Sequence, residues 1–195
     1  MRVVAIEHVT LDGVMQAPGR ADEDPRGGFD HGGWAVAGDR AEDPDIGAAM
    51  GARMAESDGL LLGRRTYDDL LRSWNDRGGP FKDALNHAAK YVVSTTLPDP
   101  PPWPNSTLIA ANVVAEVERL RRRPGRELHV LGSGQLLEML FAHRLVDELL
   151  LVIHPITLGS GRRLFPGGIH TAFDLVDARP SVTGALIATY RTRST

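Results

Sequence analysis

The sequence predicts an α/β protein, a sheet with helices packed on it that closes in an antiparallel pair of strands. Three observations predict it. Strand-like apolar runs alternate with amphipathic, helix-like segments along the 195 residues. Two strands lead through glycine turns straight into helices, at Gly63-Arg64-Arg65-Thr66 and Gly132-Ser133-Gly134-Gln135. The last two strand-like runs, 173–178 and 185–193, read as an antiparallel pair.

The first strand is 3–9, rich in β-branched residues, and it runs into the turn Thr10-Leu11-Asp12-Gly13. A long segment follows, about 15–44, with glycines at 19, 27, 28, 32, 33 and 38. A loop of that length inside a domain is a functional lid or disordered. Asp43 is placed to cap the next helix and Pro44 suits its first position. Ile46, Ala49, Met50 and Met54 share one face of that helix, and Asp58-Gly59 stops it. Leu60-Leu61-Leu62 is short and wholly apolar, as expected of a central strand buried on both faces. A second helix starts over 66–71, with Thr66 as its cap and Tyr67, Leu70 and Leu71 inward.

Tyr91-Val92-Val93 is the next strand, ending at Ser94-Thr95-Thr96. Five prolines between Pro98 and Pro104 force an extended loop. After the short strand 108–110, Asn112 caps a helix with Val113, Val117 and Leu120 inward and arginines in its last turn, the charge order a helix dipole favours. Strand 128–131, the turn at Gly132, helix 135–143 (Leu136, Leu137, Leu140 and Phe141 inward) and strand 149–153 complete the order. No repeat and no domain boundary is visible, so 1–195 reads as one domain.

Composition narrows the function. The chain is 42% apolar and 24% charged, ordinary for a globular protein. A net charge of -3 does not suit a nucleic-acid binder, which needs a basic face. The absence of cysteine excludes disulfides, thiolate catalysis and cysteine-bound metal clusters. The seven histidines show no metal-ligand spacing, so no metal site is expected. Glu7 interrupts the first apolar stretch too early for a signal peptide, and no run is long enough to span a bilayer. A cytoplasmic protein with a small-molecule substrate, no nucleic acid and no membrane is the expectation.

A strand that delivers glycines into a helix N-terminus makes an anion site. Its first-turn amides point at the ligand, and a side chain there would block close approach. Either turn alone is as compatible with a plain tight connection as with a phosphate site. Two in one sheet suit a dinucleotide, with Arg64 and Arg65 able to pair with phosphate. Position 137 is leucine, so the second turn is no G-x-G-x-x-G, and there is no Walker lysine.

The ordered set Thr10-Leu11-Asp12-Gly13, Gly32-Gly33-Trp34, Leu62-Gly63-Arg64-Arg65-Thr66-Tyr67, Val93-Ser94, Leu131-Gly132-Ser133-Gly134, Leu145-Val146-Asp147-Glu148-Leu149 and His154-Pro155 through Leu164-Phe165-Pro166 resembles the dihydrofolate reductase-like family. Within it the chain is most similar to the reductase domain of the bifunctional riboflavin-biosynthesis deaminase-reductase. The resemblance spans nearly the whole chain. It implies a single reductase-like domain with a mixed, mostly parallel sheet flanked by helices and an antiparallel C-terminal hairpin. It implies NADPH as hydride donor along the carboxyl ends of the strands, and a homodimer. By the same resemblance Gly132, Ser133, Gly134 and Gln135 hold the pyrophosphate, and Gly63, Arg64, Arg65 and Thr66 the second phosphate region. Ser94, Thr95 and Thr96 lie by the adenosine 2′-phosphate. Asp12 faces the nicotinamide and substrate as the catalytic candidate, with Trp34 and Met50 as further substrate contacts. The implied activity is that of 5-amino-6-(5-phosphoribosylamino)uracil reductase.

Two departures bear on the substrate. Val14 stands where riboflavin reductases usually carry lysine after the Asp-Gly, and with no cysteine these residues hold no zinc deaminase half. The inward face of the first helix is apolar, with only Asp45 at its start, which disfavours folate. Asp12 is either a pocket carboxylate or a turn residue supporting Gly13, and to act as an acid it needs a raised pKa. Phe29, His31 and Trp34 either cap the pocket or pack the loop. His154, before Pro155, reads as a structural strand end. The expectation is therefore an NADPH-dependent reductase of a small heterocycle. The alternatives are a dihydrofolate or pterin reductase, a non-catalytic NADP(H)-binding sensor, and a flavin- or nucleotide-binding transferase.

Overall fold

The computed structural model describes residues 1–168 and 170–193, apart from the side chains of Asp39 and Pro80. Eight strands form one sheet: β1 (Arg2–Thr10), β2 (Ser57–Gly63), β3 (Lys90–Val93), β4 (Ser106–Ile109), β5 (Glu127–Val130), β6 (Glu148–His154), β7 (Phe173–Pro180) and β8 (Leu186–Thr192). Their order is β4-β3-β2-β5-β1-β6-β8-β7. The helices are α1 (Pro44–Met54), α2 (Arg64–Arg77), α3 (Pro80–His87), α4 (Val113–Arg121) and α5 (Gly134–Ala142). Contacts divide the chain into two compact units, with the boundary inside β1. One unit is Met1–Ala5 with Glu56–Asp147, the other Ile6–Ala55 with Glu148–Thr195.

The first unit is wholly parallel. β5 runs beside the first half of β1, from Arg2 opposite Glu127 to Ala5 opposite Val130. β2 lies between β5 and β3, and β3 pairs with β4. The leucine run of β2 is fully buried, as a strand covered on both faces must be. α5 buries Leu136, Leu137, Leu140 and Phe141, and α4 buries Val117 and Leu120, on the faces their periodicity marks. Tyr67 and Leu71 are the buried residues of α2.

Two local expectations change here, and one helix is added. α2 begins at Arg64 with Gly63 in the capping position, so Thr66 lies inside the first turn and is not the cap. Asn112 stands before α4 in a left-handed conformation (φ 52°), and its side chain accepts no capping bond. α3 was not legible as a helix. It is eight residues long, starts after two left-handed glycines (Gly78 and Gly79) and buries mainly Leu85. It is held by α2, where Phe81 packs on Trp74, and by β3, where the buried Lys90 ammonium donates to the carbonyls of Leu85 (2.6 Å) and Ala88 (2.7 Å) at the helix end. Burial pushes the Lys90 pKa down to about 8.

The second unit holds the antiparallel part of the sheet, β6 beside β8 and β8 beside β7. The long segment expected over 15–44 is ordered rather than open. It contains two short 3-10 turns, Arg26–Gly28 and Gly38–Glu42, and its own core of Val14, Ala17, Phe29, Trp34 and Ala35. The Trp34 indole N–H donates to the Gln16 carbonyl at 2.7 Å. The Gln16 amide in turn donates to the carbonyls of Asp24 and Arg26. Buried polar groups need such partners, and their satisfaction fixes the path of the loop. Phe29 and Trp34 thus pack the loop, while His31 is exposed against the edge of Phe29.

Asp43 caps α1 as the sequence predicts, accepting from the amides of Asp45 (2.9 Å) and Ile46 (3.1 Å). It also accepts from the Thr183 hydroxyl and amide. Burial alone would raise the carboxyl, but bonds from Thr183, Ser181 and the two helix amides hold it down at about 2. Replacing Asp43 by alanine should cost about 1–2 kcal/mol, measured by urea denaturation at pH 7. A folded pKa below the ordinary 3.8 gives stability that is present above that value and lost as pH falls through about 2. The gap between wild type and Asp43→Ala should therefore shrink between pH 4 and pH 2.

Candidate functional site

In the first unit the sheet brings the expected nucleotide residues to one edge. Ser94-Thr95-Thr96 follows β3, Gly63-Arg64-Arg65-Thr66 follows β2, and Gly132-Ser133-Gly134-Gln135 follows β5. These are three consecutive parallel strands, so all three turns leave from carboxyl ends, where α/β sheets receive ligands. Gly63 and Ser133 nearly touch: a Cβ on Gly63 would lie 2.2 Å from the Ser133 hydroxyl oxygen and 3.0 Å from its Cβ. The amino ends of α2 and α5 are therefore drawn together. No side chain caps either helix. Their first-turn amides keep their hydrogen-bonding capacity, and two helix dipoles present positive ends side by side.

The residues around these amides differ in what they can offer. Gly132 has φ 60° and is joined to Ser133 by a cis peptide bond. Arg64 is turned along its own helix onto Asp68, while Arg65 is exposed. The Ser94 hydroxyl accepts from the amides of Thr96 (3.1 Å) and Leu97 (3.0 Å), so it shapes the turn. Thr95 and Thr96 are the exposed members of that group, as Gln135 is at the start of α5.

In the second unit Asp12 follows β1 and both its oxygens are engaged. Oδ1 accepts from the Thr10 hydroxyl (2.6 Å) and the Leu158 amide (3.2 Å), and Oδ2 from the Gly159 amide (2.8 Å). Arg163 lies 3.7 Å from Oδ2. The Thr10 hydroxyl outweighs a desolvation cost and, with the Gly159 and Leu158 amides, holds the carboxyl down at about 2. That is the opposite of the raised pKa an acid needs. The same turn is stitched to 156–164 by backbone bonds from Leu11 to Ile156, Met15 to Arg162 and Leu164 to Gly13. Val14 is fully buried in the loop core. Trp34 is 3% exposed and Met50 is half-buried on α1.

Sequence reasoning passed over His8. Its Nδ1 lies 2.9 Å from Nε2 of His154, with the rings stacked at 5.2 Å. The Trp34 ring meets His154 edge-on at 5.3 Å. The available signal was the period of β1, where Val4, Ile6, His8 and Thr10 share a face and an imidazole follows two apolar residues.

The profile of the RibD C-terminal domain family matches residues 2–187. The uncharacterized protein YyaP of Bacillus subtilis (strain 168) is 28% identical over 171 residues, covering 84% of this chain and 80% of that protein. Three solved structures share the fold. A chain from Shewanella sp. PV-4, described as a candidate riboflavin biosynthesis protein, has a TM-score of 0.72 at 23% identity, with both chains fully covered. A pyrimidine reductase-like protein of Corynebacterium diphtheriae has 0.63 at 13%, covering 100% of this chain and 92% of that one. Dihydrofolate reductase of Enterococcus faecalis, complexed with NADP(H) and RAB-propyl, has 0.59 at 15%, covering 99% and 97%.

Gly63→Ala should force the α2 and α5 turns apart and cost about 1–3 kcal/mol, read as a lowered Tm. Adding Ser133→Gly removes the atoms in the way and should restore most of the loss. At Asp12, replacement by alanine should raise hydrogen exchange at the Leu158 and Gly159 amides, leaving β2 and β5 protected.

Proposed function

Because the chain belongs to the RibD C-terminal domain family, we propose that it is an NADPH-dependent reductase of a small heterocyclic substrate, of the pterin or pyrimidine kind. The observation that carries this is the convergence of three turns at the carboxyl ends of β3, β2 and β5, with Gly63 against Ser133. An extended bis-anionic ligand needs several amide clusters along one edge, and the first-turn amides of α2 and α5 supply two of them.

The chain's own residues then divide as follows. Gly132, Ser133, Gly134 and Gln135 hold the pyrophosphate through main-chain amides. Gly63, Arg64, Arg65 and Thr66 hold the second phosphate region, and exposed Thr95 and Thr96 the 2′-phosphate beyond the Ser94 turn. When bound, the cofactor supplies the hydride. Asp12 acts as a fixed anion and an anchor for its turn, not as the proton donor, given its lowered pKa. Trp34 takes part through its packing on His154, and Met50 through its half-buried position on α1.

Val14, where the resemblance leads one to expect lysine, is packed inside the loop core and offers no polar contact, so the substrate is proposed as a class rather than as 5-amino-6-(5-phosphoribosylamino)uracil itself. We further propose a homodimer in the cytoplasm. The apolar residues exposed on and beside the edge strand β7 (Leu175, Val176, Val182 and Leu186) offer a surface for the second copy. Among the described residues no helix is long and apolar enough to cross a membrane. A second reading, a non-catalytic NADP(H)-binding sensor, is favoured by one observation: both oxygens of Asp12 are spent on the turn.

NADPH should raise the Tm, and NADH and FMN should raise it less, because they lack the 2′-phosphate or the second nucleotide. Gly132→Asp should abolish the NADPH shift through steric block and like charge while leaving the far-ultraviolet spectrum unchanged. Steady NADPH oxidation with a pteridine or pyrimidine acceptor eliminates the sensor. An unchanged affinity in Gly132→Asp would sink the site assignment.

A further inference from the structure

The reductase reading leaves the His8–His154 pair without a task. His8 lies two residues before the carboxyl end of β1, and His154 is the last residue of β6, its neighbour in the sheet. His154 is fully buried and His8 half-buried. The pair therefore stands at the ends of two strands where sheets of this class receive ligands.

The bond between them fixes both tautomers. A hydrogen bond joining two imidazole nitrogens needs one proton and one lone pair. The Nδ1 of His154 is buried and meets no partner among the described residues. A proton there would be a buried donor without an acceptor, which folded proteins tolerate less than an unpaired acceptor. The proton of His154 therefore sits on Nε2 and is donated to Nδ1 of His8. That leaves the proton of His8 on its own Nε2, which has no partner among the described residues, on a ring that is only half-buried. Burial, and then each ring's neighbours, keep both imidazoles neutral down to about pH 4. The charged groups facing His154 are Arg40, which lowers its pKa, and Asp43, which raises it.

We propose that His8 is a specificity residue: its Nε2–H donates a hydrogen bond to a carbonyl oxygen of the heterocyclic substrate, and His154 is the positioning residue that fixes this tautomer. The proposal rests on the reductase reading and narrows its substrate class. A neutral donor accepts an oxo group and opposes an amino group, because two N–H groups would face each other across the contact. The selected rings are therefore oxo-heterocycles, such as pteridine or pyrimidine diones, in preference to their amino analogues.

Nitrogen-15 NMR of the full chain labelled at histidine tests this. At pH 7 the two-bond correlations should show Nε2–H tautomers for both rings, and both should titrate only near pH 4. With NADP⁺ saturating, lumazine (pteridine-2,4-dione) should move the Nε2 resonance of His8, and 2,4-diaminopteridine should bind about tenfold more weakly or worse. His8→Phe should abolish that preference without changing the NADPH affinity, and His8→Gln, which keeps an N–H donor, should retain part of it. A proton on Nδ1 of His8, equal affinity for the two pteridines, or an unmoved His8 resonance would each overturn the inference. Failure to bind NADPH would count against the reductase reading, and the tautomer measurement is independent of it.

Discussion

Gly63 and Ser133 stand so close that a methyl group on Gly63 would meet the serine hydroxyl at 2.2 Å. The contact is a consequence of the register between β2 and β5, where Leu61 lies opposite Val130 and both strands end within a few residues. Two parallel strands that end together must send their following helices off from the same place. Only a residue without a side chain lets those helices start this near each other. The amides of two first turns then share one patch of surface, and the positive ends of two helix dipoles reinforce rather than dilute each other. The third turn, at Ser94, joins them because β3 is the next parallel strand and is stopped by a hydroxyl that closes its own turn.

The second unit uses a different device. Its first turn is held by a carboxylate, Asp12, that accepts from a hydroxyl and two backbone amides. A carboxylate so satisfied is a strong anion and a poor acid. The fit of Gly161 against Phe29 and Val14, where a Cβ would lie 2.7 and 2.8 Å from their side chains, shows how tightly the two loops meet. Polar capacity that Asp12 does not offer remains at His8, whose outer nitrogen is directed by a buried partner.

Much of the fold was legible because it rests on short-range signals. The leucines of β2 mark a strand covered on both faces, Asp43-Pro44 marks a helix start, and the inward leucines of α5 mark its face. The glycine turns at the ends of β2 and β5 were legible for the same reason, since glycine before a helix is a local pattern. Their mutual approach was not, because it depends on which strands become neighbours. α3 was hidden because it is only eight residues long and its partners, Trp74 and Asn75 of α2 and Lys90 of β3, lie outside it. The order of the 15–44 segment was hidden behind its glycines, because its core is made with residues before it and after 155. The direction of the Asp12 pKa could not be read from sequence either, since its donors at Leu158 and Gly159 lie 146 and 147 residues away.

On this reading the amides at the ends of β3, β2 and β5 form one nucleotide surface. Backbone amide chemical-shift mapping with NADP⁺ tests it most directly. A shared surface gives saturable shifts that rise together, with one dissociation constant, at Arg64–Thr66, at Thr95 and Thr96, and at Gly134 and Gln135. Shifts confined to one of these turns, or centred on other residues while these stay still, would contradict it.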